Sequence, residues 1–158
     1  MDLNKKINKV REMLLYYHKG FGNEIVHLST HLEAHLLLDK GDRYKGIFEN
    51  SKKRVKETYE LIDSEEMKNN KDFKGLLKIK AKHLPKLWNL SDKFFQNPKQ
   101  KEIDKFREIT REIWEIGTEY HSKMMEQIRM INLNGNPDFH IAIMDYKNDL
   151  FEYGRFQT

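Results

Sequence analysis

The chain has 158 residues, of which 38% are hydrophobic and 34% charged, and its formal net charge is +4 at neutral pH. This length predicts a single domain spanning residues 1–158, with one core. The absence of cysteine excludes disulfides, thiolate metal sites and a cysteine nucleophile, and it favours a reducing compartment, here the cytoplasm. No apolar run approaches the roughly 18 residues of a membrane span, and no secretory signal is expected at the start of the chain.

The pattern of apolar residues predicts an all-α fold, an elongated bundle of five to six helices. Apolar side chains recur at three- and four-residue spacing, and no run alternates apolar and polar β-formers. Asn23 is a suitable N-cap, Pro98 suits a first helical turn, and Pro85 should kink or break its helix. The predicted helices span about residues 3–18, 23–40, 42–63, 72–95, 99–132 and 138–153.

The helix predicted at about residues 99–132 is unusually long for a domain of this size. Its apolar spacing is unbroken from Ile103 to Ile131, which corresponds to a rod about 50 Å long at roughly 1.5 Å per residue. Trp114 and Met125 flank the apolar seam and widen it. This breadth favours a homo-oligomer or a protein partner that packs along the long helix.

A histidine ladder lies in the second predicted helix, formed by His27, His31 and His35 at four-residue spacing and preceded by Glu24. Each step drifts only about 40° around the helix, so the four side chains share one flank. Imidazole and carboxylate groups on bundle helices bind iron, manganese or zinc, which makes these residues candidate metal ligands. A polar seam between helices and a pH-sensitive contact are the alternatives. No cofactor other than such a metal ion is expected.

A second cluster is basic. Residues 67–89 contain seven lysines and one acid, for a net charge of +6, so the remainder of the chain sums to −2. Such a patch is typical of surfaces that contact nucleic acid or an acidic protein, although a simple solvated face is the alternative reading. The segment has no arginine, and a lysine patch contacts the phosphate backbone without reading bases. The candidate binding residues are Lys71, Lys74, Lys78, Lys82 and Lys86.

Catalytic motifs are missing from the sequence. It has no Gly-x-Ser-x-Gly nucleophile turn, no Gly-rich phosphate loop followed by Lys-Ser/Thr and no His-Glu-x-x-His metalloprotease motif. The sequence therefore favours a non-enzymatic interaction or regulatory protein that self-associates and uses its lysine segment to hold a partner. A metal-binding helical bundle built on the histidine ladder is the second hypothesis.

Overall fold

A computed structural model describes residues 23–60 and 74–132, together with isolated helical positions at 5, 8, 11, 137, 138, 144 and 145. Within these residues there are four helices and no strand. The predicted all-α class is therefore confirmed. The predicted helices at 3–18 and 138–153 lie almost entirely outside the described residues. A total of five to six helices and an elongated shape stay predictions.

The first two helices form a pair with a short connection. Helix α1 comprises Asn23–Leu37, and α2 comprises Asp42–Glu60. The carbonyl of Ala34 accepts hydrogen bonds from the backbone N–H groups of both Leu38 and Asp39, at 2.9 and 3.2 Å. The Asp39 carboxylate then accepts the N–H of Gly41 at 2.8 Å. This side-chain turn ends α1 a few residues before the predicted boundary, because aspartate competes for backbone donors.

Helix α3 contains a π-helical turn. It comprises three consecutive segments, Lys74–Lys78, the π turn Ile79–His83, and Leu84–Gln96. The N–H of Leu84 donates to the carbonyl of Ile79, five residues earlier. Pro85 has no N–H to donate to the preceding turn, and its ring would collide with the carbonyl four residues before it in a regular α-helix. The wider π turn relieves the collision and removes the need for that hydrogen bond. The kink or break predicted at Pro85 therefore takes the form of a π turn, after which the helix continues.

Helix α4 comprises Gln100–Asn132 and lines one side of the core. It packs against α1 and α3, while α1 also packs against α2. Three aromatic residues from different helices meet at the centre, because the Phe48 ring lies 5.4 Å from Phe95 and 6.2 Å from Phe106. The buried hydrophobic residues of α4 recur at helical spacing and are Ile103, Phe106, Ile113 and Tyr120.

Ion pairs add two further ties between helices. Arg54 of α2 donates to the Glu24 carboxylate of α1, and both side chains are largely buried, with 13% and 14% of their surface exposed. Arg107 of α4 donates to Glu33 of α1 at a more exposed position, where the exposed fractions are 45% and 37%. Removing one partner costs far more in a buried pair than in an exposed one, so the α1–α2 contact depends on its pair more strongly.

Candidate functional site

The exposed lysines of α3 form the main candidate site. The sequence predicted Lys74, Lys78, Lys82 and Lys86 as binding residues, and all four are exposed in the structure. The fifth, Lys71, lies outside the described residues. Lys93 is also exposed on α3, but sequence reasoning missed it because it follows the segment 67–89. We call this set the lysine face, and its members are Lys74, Lys78, Lys82, Lys86 and Lys93.

The lysine face carries positive charge that the sequence around most of its members does not balance. The sequence has no carboxylate between Asp72 and Asp92. Within the described part of the chain, none of the five lysines belongs to an ion pair. Two lysines on other helices do have such partners, Lys53 with Glu57 at 3.9 Å and Lys123 with Glu119 at 3.5 Å. The ammonium groups of the lysine face therefore remain free to attract an external anion.

A shallow groove between α3 and α4 adds a further lysine, from α4, to the positive surface. It places Lys105 of α4 near two members of the lysine face, and Glu108 is the acid that borders it. The residues lining the groove are Lys86, Asn89, Leu90, Lys93, Lys105, Glu108 and Ile109. The positive surface thus reaches from α3 onto α4 at this end.

Some lysines of α2 are engaged with aromatic rings instead. The Lys52 ammonium lies 5.3 Å from the centre of the Trp88 ring, and that of Lys45 lies 5.5 Å from Phe95. Both contacts have the distance of a cation–π interaction. These two lysines connect α2 to α3, so we infer that they stabilise the packing of the helices and do not count them in the lysine face.

His83 is a residue that sequence reasoning overlooked. It comes from the π turn, is only 3% exposed, and places its Nε2 atom 3.3 Å from a carboxylate oxygen of Glu112 on α4. His83 is four residues from both Ile79 and Leu87, which are buried. This spacing could have predicted that His83 lies on the buried side of the helix. Among the described residues its Nδ1 atom has no hydrogen-bond partner. His83 anchors the back of α3 to α4 directly behind the exposed lysines.

The histidine ladder does not assemble into a metal centre among the residues that the structure describes. No group of three or more histidine, aspartate or glutamate side chains there could hold a metal ion. His27 is exposed, His31 is half-buried and His35 is buried, because the drift of each step carries the ladder from solvent into the core. The Arg54 guanidinium also donates a hydrogen bond to the Glu24 carboxylate, and its positive charge disfavours binding of a metal cation at that position. The metal hypothesis stays a prediction without structural support.

His35 instead belongs to the aromatic core. Its ring meets Phe94 and Phe95 edge-to-face, with centroids 5.7 and 5.0 Å apart, and only 4% of the residue is exposed. Within the described residues its Nδ1 atom has no hydrogen-bond partner. Burial lowers the pKa of His35 below its usual 6.5, and the positive charge of Lys45 lowers it further. Burial and the neighbouring His27 likewise lower the pKa of His31.

We expect the bundle to lose stability as the pH falls below about 6.5. A histidine whose pKa is lower in the folded state binds protons more readily when unfolded, so stability is full above the unfolded pKa and declines below it. The limit is about 1.4 kcal/mol per pH unit for each such proton. Denaturant unfolding between pH 7.5 and 5 measures this, with His35→Phe as the variant that cannot titrate there. An unchanged pH dependence in that variant would refute the role of His35.

Comparison of the chain with protein-family models, with curated proteins and with solved structures finds no match. Among the described residues, no helix combines the length and apolar character needed to cross a bilayer.

Proposed function

We propose that this protein is a non-enzymatic helical interaction protein that binds polyanionic partners through the lysine face. The observation that carries the proposal is a set of five exposed lysines on one helix, which have no ion-pair partner in the described part of the chain. Nucleic acid phosphates and the carboxylates of an acidic protein are the two partner chemistries that such a surface attracts.

The contrast between α3 and α4 favours this function over a merely solvated helix. The 23 residues from Lys74 to Gln96 contain six lysines and one acid, whereas Gln100–Asn132 contains six basic and seven acidic residues. Mixed charge of the second kind is the ordinary way to keep a helix soluble, since opposite charges three or four residues apart stabilise it slightly. Charge of one sign along α3 stabilises the helix less and attracts anions more strongly.

Self-association is a second part of the proposal. Trp114 on α4 is 43% exposed, which is a large apolar side chain for a solvated helix face. The apolar spacing along α4 favours a homo-oligomer or another protein packed against this helix, and the absence of cysteine is compatible with assembly in a reducing cytoplasm. Light scattering over a range of protein concentrations tests this part, and a monomer at the highest concentration would count against it.

The salt dependence of binding tests the polyanion proposal. Each phosphate contact releases counterions, so five lysines on duplex DNA predict a slope of about −4 to −5 for log affinity against log salt concentration. Fluorescence anisotropy with a labelled 20-base-pair duplex, from 20 to 200 mM NaCl, measures that slope. A parallel titration with poly-glutamate examines the carboxylate alternative. If neither polymer binds at 20 mM NaCl, the lysine face is only a solvated surface.

A further inference from the structure

We infer that the lysine face is a straight row that lies against double-stranded nucleic acid and contacts its phosphates, and that the π turn of α3 aligns the lysines of that row. The inference rests on the proposed function and narrows it to one partner class. It depends on the register of α3, on the length of the row and on the residues beside it.

The π turn changes which lysines share a face. In an uninterrupted α-helix, Lys74 and Lys86 are twelve residues apart and would be offset by about 120°, at 100° per residue. A π turn takes up one extra residue, so the two lysines behave as if eleven residues apart, and the offset falls to about 20°. The same shift reduces the offset between Lys78 and Lys86 from about 80° to about 20°.

The buried side of α3 confirms this register independently. Leu76 and Leu84 are eight residues apart across the π turn, as are Ile79 and Leu87. All four are buried, with exposures between 0% and 4%. Eight residues of plain α-helix would separate each pair by about 80°, whereas seven effective residues bring each pair within about 20°. The turn that aligns the core therefore aligns the opposite, charged side as well.

The length of the row suits a duplex. From Lys74 to Lys93 the helix rises roughly 28 Å at about 1.5 Å per residue, which is close to one helical turn of DNA, about 34 Å. Lysines four residues apart stand about 6 Å from each other along the axis. Each strand of a duplex carries one phosphate per about 3.4 Å of axis and winds once around the axis in about 34 Å, so a row of this length meets phosphates of both strands in succession. A straight row of ammonium groups can contact several phosphates at once.

The residues beside the row favour nucleic acid over an acidic protein. The flank of the row is exposed and mostly uncharged, and its members are Ala81, Pro85, Asn89, Asp92 and Gln96, of which Asp92 alone carries a charge. Protein interfaces usually need an apolar or aromatic centre, which this flank lacks. It also lacks an aromatic side chain on which an unpaired base could stack, because Trp88 is half-buried beneath Lys52. Backbone contact with a duplex needs neither feature.

A charge-relocation variant tests whether binding depends on the alignment of the lysines or only on the net positive charge of the protein. Lys82→Gln removes one charge from the row, and Lys82→Gln combined with Ala81→Lys restores the net charge one position away, roughly 90° around the helix. Both positions are exposed, and thermal melting of each variant checks that the fold is retained. The probe is a labelled 20-base-pair DNA duplex in 100 mM NaCl. We expect Lys82→Gln to weaken binding about five- to tenfold and the relocated variant to be equally weak.

Each outcome has a distinct meaning. If relocation restores wild-type affinity, net charge suffices and the row is refuted, while polyanion binding stands. If Lys82→Gln itself changes nothing, the proposed function of the lysine face fails. Poly-glutamate bound as tightly as the duplex, with the same loss on relocation, would overturn the choice of nucleic acid. Tighter binding to a single-stranded 20-mer than to the duplex would overturn the choice of a duplex.

Discussion

A triple variant, Lys78→Gln with Lys82→Gln and Lys86→Gln, is expected to lower affinity for duplex DNA more than a hundredfold in 100 mM NaCl. The three side chains are exposed and, among the described residues, have no ion-pair partner, so each is free to release counterions from a phosphate. Each lost contact should lower the affinity by up to about tenfold at this salt concentration, and the salt slope should fall by about 0.9 per contact. Fluorescence anisotropy titrations measure both quantities.

A matched control removes the same charge elsewhere. Lys53→Gln with Lys56→Gln and Lys101→Gln changes three exposed lysines on α2 and α4 and leaves the lysine face intact. Screening beyond about 10 Å makes distant charges contribute little at 100 mM NaCl, so the control should change affinity less than about threefold. Equal losses in the two triple variants would show that binding follows net charge alone.

Arg54→Met is expected to destabilise the fold by about 2–4 kcal/mol, because it leaves the carboxylate of Glu24 largely buried without its cation. Both side chains of the pair are less than 15% exposed, so water cannot replace the guanidinium fully. Methionine keeps much of the apolar stem of arginine, which limits the loss of packing. Urea unfolding followed by circular dichroism measures the change in the free energy of unfolding.

The exposed pair between α1 and α4 provides the control for this prediction. Arg107→Met breaks a pair whose side chains are 45% and 37% exposed, and it should cost no more than about 1 kcal/mol. Glu24→Gln added to Arg54→Met should recover part of the lost stability, since a neutral amide is less costly to bury than an unpaired carboxylate. Similar costs for the two arginine substitutions would contradict the assignment of the α1–α2 pair as the stronger tie.

Much of the helical architecture follows from local sequence patterns. Three- and four-residue apolar spacing predicted helices over the regions where α1 to α4 lie, and Asn23 and Asp42 begin α1 and α2 as expected. These signals are local, because a cap or an amphipathic stripe depends on neighbours within a turn or two. The end of α1 was less predictable, since the turn made by Asp39 competes with further helix.

The features that depend on register and on distant partners could not be predicted in the same way. Pro85 predicted a disturbance in α3, but whether the chain breaks or forms a π turn depends on packing against α4. Because the sequence alone does not reveal the π turn, it does not predict that Lys74 and Lys86 share one face of α3. The pairing of Arg54 with Glu24 joins residues thirty positions apart, so the ladder's carboxylate looked free for a metal.

The most direct measurement of the central claim is a lysine footprint. Acetylation of the wild-type protein, with and without saturating duplex DNA, can be quantified for each lysine by mass spectrometry. We predict protection concentrated on the lysine face, at Lys74, Lys78, Lys82, Lys86 and Lys93, and little change at the exposed Lys53 and Lys56 of α2. Uniform protection of all exposed lysines, or protection centred on α2, would contradict the account.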